Sequence, residues 1–167
     1  MVVGFNTLLP GYVSSYLQKN AIVFGIAEMS YGIGAVFVGI FISLVRIHNF
    51  AKTIIIISGL VGTIMLLALP MTGSLPHIFA IIFIFGASNT TNKILLQALF
   101  MAFVPKRLFG ATMATSMGCS SLVQVVLVFT LFMMFGGDTI QWGFTLLGVI
   151  LFVSTILSVH LFGKSSH

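Results

Sequence analysis

The chain has 167 residues, of which 59% are hydrophobic and only 5% are charged, and its formal net charge is +5. Soluble domains carry roughly 25% charged residues, so this chain has too few charges to cover a surface in water. The composition therefore excludes an ordinary soluble domain and predicts the lipid bilayer as the first partner. The basic residues lie in short segments between apolar runs, which indicates membrane orientation rather than nucleic-acid binding.

The first apolar segment, residues 2–17, is short and is interrupted by Gly4, Pro10 and Gly11. A helix needs roughly 17–25 apolar residues to cross a bilayer. We therefore expect this segment to be a partial helix, the outer end of a helix whose beginning is missing. No basic region precedes it, as a cleavable signal peptide would require.

Five longer apolar segments follow and are each long enough for a complete transmembrane helix. They are predicted at residues 21–45, 53–69, 77–104, 108–135 and 139–162. Glycine and proline at the junctions, such as Pro70 and Pro105, are typical helix ends. The sequence thus predicts one all-α transmembrane domain over residues 1–167, with about five complete spans and a partial first one.

The basic residues are distributed unequally between the two sides of the predicted membrane. One side receives Arg46, Lys52, Lys106, Arg107 and Lys164, whereas the other receives only Lys19. Cytoplasmic loops carry the excess of Lys and Arg. We therefore expect a multi-pass protein of the cell membrane with its C-terminus in the cytoplasm.

The span at residues 21–45 carries the carboxyl group of Glu28 among small residues. Gly25, Glu28, Gly32, Ala35 and Gly39 recur at spacings of three and four, which places them on one helix face. Small residues let a neighbouring backbone approach closely, and a charge facing lipid is expensive. We therefore predict that the four small residues pack against a helix. Glu28 on that face is either a structural carboxyl or a group coupled to protons or substrate.

The span at residues 77–104 is the most polar. Its polar and small residues include Gly86, Asn89, Thr90, Asn92, Lys93 and Gln97. Such residues avoid lipid, so they indicate either a hydrated cavity or a buried hydrogen-bond network. We predict Asn89, Asn92, Lys93 and Gln97 as cavity-lining candidates, with Lys93 able to attract an anionic group or pair with a carboxylate.

The next span carries a polar row, Thr112, Ser116, Ser120 and Gln124, at intervals of four residues. Hydroxyl groups in apolar helices either line a cavity or pack and bond to carbonyls of their own helix, and both possibilities stay open. The last span is more uniformly apolar, and we expect it to face lipid or to support the bundle.

No catalytic or metal-binding pattern accompanies these features. The sequence contains no P-loop, GxSxG, HExxH or CxxC motif, and two acidic residues leave little for acid–base chemistry. Cys119 has no second cysteine to pair with, and the four histidines are scattered. The prediction is a protein that is not an enzyme and that has no catalytic residues, metal site or cofactor.

Four segments carry a resemblance to a known family. Residues 6–13 (NTLLPGYV) are similar to the outer end of helix 7 of major facilitator superfamily transporters, and residues 25–35 (GIAEMSYGIGA) to the start of helix 8. Residues 46–52 (RIHNFAK) stand at the basic loop between helices 8 and 9. Residues 104–110 (VPKRLFG) resemble the VPxxxRG-type loop between helices 10 and 11, with Phe109 where the family has arginine. More narrowly, the pattern looks like the drug-efflux branch that includes the macrolide exporters and the enterobactin exporter.

This resemblance implies the C-terminal half of a twelve-helix bundle, helices 7 to 12 with helix 7 truncated, and a substrate site between two halves. It implies a fragment of a secondary active transporter, a proton-coupled exporter of small amphipathic compounds or drugs that works by alternating access. Its partner would be the missing N-terminal six-helix half or a second copy. The alternative is a non-transporting membrane subunit that assembles with a separately encoded partner.

Overall fold

The computed structural model describes residues 2–16, 20–44, 50–103, 105, 108–134 and 140–164. These residues contain six helices and no strand, because a backbone in lipid must satisfy its hydrogen bonds within each segment. The helices are α1 Val2–Gly11, α2 Ala21–Leu44, α3 Ala51–Ala68, α4 Leu75–Phe103, α5 Phe109–Met134 and α6 Ile140–Lys164.

Helices α2 to α6 are long and apolar enough to cross a membrane, which confirms the prediction of an all-helical fold with five helices of membrane-spanning length. Where the structure describes them, the helix ends lie within two residues of the predicted ones. The ends predicted at residues 17, 45, 104, 135 and 139 lie outside the described residues, as do Lys19, Arg46, Lys106 and Arg107.

The shortest helix, α1, is the most deeply packed. Its ten residues continue into one π-helical turn, Tyr12–Tyr16, after Pro10, whose ring nitrogen has no hydrogen to donate. Phe5 and Leu9 are fully buried, and the Phe5 ring lies 5.0 Å from the ring of Phe85 in α4. The partial first helix is therefore a central element of the core, which the sequence did not predict.

The main apolar core lies at one end of the bundle, where α3 ends and α4 begins. Tyr12 packs edge-on against Phe144 of α6 at 5.2 Å between ring centroids. The Tyr12 hydroxyl donates to the carbonyl of Leu69 at 3.1 Å, in the 3-10 turn Leu69–Met71 that extends α3. Since the core occupies this end, the middle of the bundle is left to smaller and more polar side chains.

The helices pair in a simple order. Helix α3 packs against both α4 and α6, α2 packs against α4, and α1 packs against α5 and α6. In the α3–α4 pair Ser58 meets Asn92 and Gly62 meets Ser88, so residue numbers rise in one helix as they fall in the other. These two helices are antiparallel, as two consecutive membrane spans joined by a short loop must be.

The closest approach of two backbones joins α2 to α4. A side-chain carbon at Gly34 would overlap the carbonyl oxygen of Phe83, and one at Gly86 would overlap the carbonyl oxygen of Tyr31. Two helices can come this close only where both lack a side chain. The Gly34–Gly86 crossing is therefore the tightest constraint on how α2 and α4 sit together.

This crossing corrects the predicted packing within the chain. The predicted packing residues are Gly25, Gly32, Ala35 and Gly39. No described atom lies within 4 Å of a side-chain carbon built on any of the three glycines, and Ala35 is only half-buried. Helix α2 carries a second arc of small residues, Ala27 and Gly34, about a third of a turn away, and that arc packs. Spacing identifies both arcs but does not say which one meets a neighbour.

Candidate functional site

Asn89 occupies the exact middle of α4, fourteen residues from Leu75 and from Phe103. If α4 crosses the membrane centrally, this amide lies at the bilayer midplane. Asn89 Nδ2 donates to the hydroxyl of Tyr31 at 2.8 Å. A polar link therefore joins α4 to α2 at a depth where water is scarce.

Asn92 lies almost one turn further along α4 and makes the matching link to α3. The Ser58 hydroxyl has one hydrogen and two acceptors in reach, and it donates to Asn92 Oδ1 at 2.9 Å, the shorter of the two contacts, with the carbonyl of Ile55 at 3.1 Å. Since residues three apart are neighbours on a helix surface, the two amides form one polar patch. The two predicted alternatives, a hydrogen-bond network and a cavity lining, both apply to this patch, because the amides also border open space.

That space is a cleft of about 210 Å³ between α3, α4 and α6. Its lining residues are Ile55, Ile56, Gly59, Asn89, Asn92, Leu96, Leu151, Ser154, Thr155 and Ser158. None of them is ionisable. The cleft thus combines an apolar wall with two amides on one side and three hydroxyls on the other.

The three hydroxyl groups of α6 in the cleft donate their hydrogens to carbonyl oxygens of their own helix. Ser154 donates to the carbonyl of Ile150, Thr155 to that of Leu151 and Ser158 to that of Ser154, each at 2.9 Å. A hydroxyl oxygen whose hydrogen is used still has lone pairs. Toward the cleft, this wall therefore offers acceptors only.

Gly59 allows α3 to approach α6 at the base of the cleft. A side-chain carbon at this position would lie 2.7 Å from Thr155 Oγ1, far inside contact distance. The glycine therefore fixes the cleft's width, and it was not singled out by the sequence because it lies inside an ordinary apolar run.

The four predicted cavity residues divide into two pairs. Asn89 and Asn92 line the cleft, whereas Lys93 and Gln97 do not. Lys93 is exposed and Gln97 is half-buried, and they lie about 100° and about 140° around the helix from Asn92. Lys93 therefore lies on a face of α4 that no described residue covers.

Glu28 is also exposed, on the small-residue face of α2 that stays open. It does not pair with Lys93. Helices α2 and α4 run in the same direction, each antiparallel to α3, and cross at Gly34 and Gly86. Glu28 lies six residues before the crossing and Lys93 seven residues after it, which separates them by about 20 Å along the helices. Among the described residues, neither charge forms an ion pair.

Helix α6 supports the bundle, which is one of the two roles expected for it, and it also lines the cleft. Phe144 and Leu147 are fully buried in the core, and the hydroxyls of Ser154, Thr155 and Ser158 line the cleft. The signal was present, because residues four apart share a helix face. It was missed because three hydroxyls do little to lower the average hydropathy of a long apolar run.

Helix α5 carries its polar row outside the cleft. No residue of its membrane-spanning stretch is buried. Gln124 Nε2 donates to the Ser120 hydroxyl at 3.0 Å within the same helix, so that polar contact is local. Among the described residues, no group of three or more His, Cys, Asp or Glu side chains could hold a metal ion.

The cleft and its hydrogen bonds are known from this chain alone. No family model matches the chain, and no curated protein and no solved structure matches it.

Proposed function

We propose that the chain is one half of a secondary active transporter, a proton-coupled exporter of small amphipathic compounds that works by alternating access. The observation that carries the proposal is the symmetry of its helix pairing. The major facilitator resemblance of residues 6–13, 25–35, 46–52 and 104–110 adds the efflux class and the proton gradient as the first ones to test.

The set of helix pairs stays the same when α1, α2 and α3 exchange places with α4, α5 and α6, respectively. The exchange turns the α2–α4 pair into α5–α1 and the α3–α4 pair into α6–α1, and it leaves α3–α6 as it is. All five pairs are thus accounted for, and the two that involve the short α1 are much smaller than their counterparts. Since three spans bring the chain to the opposite side, such repeats are inverted in the membrane, and inverted repeats are a common basis of secondary transporters.

The position of the polar cleft supports the same proposal. Transporters of this kind hold their solute near the bilayer midplane. Asn89 lies at the centre of α4, and its amide and that of Asn92 border the cleft. Polar side chains inside a membrane are expensive and usually functional, which favours a solute-binding role for this patch.

Two uncovered surfaces favour a partner half. The small-residue face of α2 carries Glu28, and α5 buries nothing in its spanning stretch. A charge turned toward lipid costs a few kcal/mol on insertion scales, so a second six-helix half or a second copy would relieve it. We place the assembly in the cell membrane with the C-terminus in the cytoplasm, on the basis of the excess of basic residues on that side.

Transport measurements test this proposal. The purified chain is reconstituted into liposomes, alone and together with a six-span protein encoded beside it, and the efflux of amphipathic dyes is followed under an imposed pH gradient. We expect flux only from the pair, and we expect Asn92→Leu to reduce it while Gly73→Ala, in the open loop after α3, does not. Gradient-driven flux by the monomeric chain alone contradicts the need for a second half.

The second candidate is a non-transporting membrane subunit, and the open small-residue face of α2 favours it. In that case the chain forms a stoichiometric complex with an unrelated membrane protein, and Gly32→Leu on this face disrupts the complex. Such a complex shows no gradient-driven flux, which separates this candidate from the transporter.

A further inference from the structure

We propose that the cleft between α3, α4 and α6 binds the uncharged polar head of a small amphipathic molecule, with an amide as the best-fitting head. The inference rests on the proposed function in treating the cleft as a solute site. Binding is measured on the chain alone, however, so its outcome is separate from that of transport.

The α4 wall offers spare hydrogen-bond donors, which the α6 wall lacks. Asn92 uses its Oδ1 to accept from Ser58, which leaves both hydrogens of its Nδ2. Asn89 uses one Nδ2 hydrogen toward Tyr31, which leaves the other and its Oδ1. No fully buried side-chain nitrogen or oxygen in the described part of the chain lacks a partner, so Asn92 Nδ2 and Asn89 Oδ1 are accessible atoms of two residues that line the cleft.

The opposite wall has the complementary capacity. The hydroxyl oxygens of Ser154, Thr155 and Ser158 accept but do not donate, since their hydrogens are held by carbonyls of α6. A ligand that bridges the cleft must therefore donate to α6, and it uses the spare Nδ2 hydrogens if it accepts from α4. A primary amide does both through adjacent atoms.

The described lining residues include no ionisable side chain, and this decides the charge of the ligand. An ion moved from water into an apolar site without a counter-charge pays a large desolvation cost. The nearest cation in sequence, Lys93, is exposed on a different face of α4. A carboxylate or ammonium head therefore finds no compensating charge. A neutral head loses only its hydrogen bonds to water, and the polar groups of the two walls replace them.

The size and apolar lining of the cleft fit one end of an amphipathic molecule. Sites for whole drug-sized ligands occupy roughly 300–1,000 Å³, and this cleft of about 210 Å³ is smaller. Ile55, Leu96 and Leu151 supply an apolar wall beside the polar groups. The polar head would thus sit between the amides and hydroxyls while a short alkyl chain lies along this wall.

The test uses three probes with equal carbon counts: hexanamide, hexanoate and hexylammonium. Ser154→Cys places a thiol in the cleft wall, in a Cys119→Ser background that removes the exposed native thiol. Alkylation by a maleimide is timed in detergent with each probe. A Gly25→Cys variant on the open face of α2 is the matched control for effects of the probes on detergent.

We expect hexanamide to slow alkylation at position 154 and not at position 25, and both charged probes to have no effect. Ser158→Ala removes one acceptor without touching a contact between helices, so it keeps the fold and should weaken protection about three- to tenfold. Three outcomes would each overturn the proposal. They are equal protection of position 154 by a charged probe, equal slowing of alkylation at position 25 by hexanamide, and no protection of position 154 by hexanamide.

Discussion

The glycine crossing of α2 and α4 gives the sharpest stability prediction. A methyl group at Gly34 overlaps the carbonyl oxygen of Phe83 and lies 3.3 Å from the backbone nitrogen of Ala87, and neither backbone atom can turn aside. A methyl group at Gly39, on the same helix, meets nothing within 4 Å. Gly34→Ala and Gly39→Ala thus form a matched pair.

The magnitude follows from what the two variants share. Replacing glycine by alanine inside a helix gains about 1 kcal/mol of helix propensity in both, so this gain cancels in the comparison. Overpacking at a rigid contact costs about 1–3 kcal/mol, which is the expected difference in unfolding free energy between them. Gly34→Ala should be the less stable.

The assay is equilibrium unfolding in mixed micelles of increasing dodecyl sulfate fraction, followed by circular dichroism. A double variant, Gly34→Ala with Gly86→Ala, should lose less than the sum of its single losses, because the first methyl already forces the helices apart. If Gly39→Ala destabilises the chain as much as Gly34→Ala, the described crossing is not the contact that holds α2 to α4.

Three further predictions use the same unfolding assay. A double-mutant cycle of Tyr31→Phe and Asn89→Leu should give a coupling free energy of about 0.6–1.7 kcal/mol for their hydrogen bond. Additive effects of the two substitutions would contradict this hydrogen bond between α2 and α4. Phe144→Ala should lose about 3–5 kcal/mol because the ring is fully buried. Phe152→Ala, with a ring largely open to lipid, should lose much less, and equal losses would place the core elsewhere. Glu28→Gln should leave the stability of the isolated chain unchanged, since no described residue contacts its exposed carboxyl, and a clear loss would reveal a partner within the chain.

Helix positions followed from the sequence because lipid imposes them. Each apolar run had to form a helix of bilayer length, and the runs were separated by glycine, proline or charge. The sequence predicted much less well which helix faces pack against each other. The small-residue arc through Gly25 and Gly32 was more regular than the arc through Ala27 and Gly34, yet the second one packs. Periodicity is a property of one helix, whereas packing depends on two.

The candidate site was half predictable for a related reason. Asn89 and Asn92 stood out because amides are rare in lipid, and both line the cleft. Ser154 and Ser158 stayed unnoticed because hydroxyls bonded to their own helix are common in apolar helices. Lys93 was predicted to line a cavity together with the amides, but its side chain is exposed and does not line the cleft.

The most direct test of the membrane bundle is the accessibility of single cysteines at three exposed positions. Phe50→Cys, Gly73→Cys and Leu108→Cys are made in a Cys119→Ser background and exposed to an impermeant maleimide in sealed, right-side-out vesicles. We predict that Gly73→Cys labels at once and that the other two label only after the membrane is opened. Labelling of Phe50→Cys and Leu108→Cys from opposite sides contradicts the order of spans on which the bundle and its cleft depend.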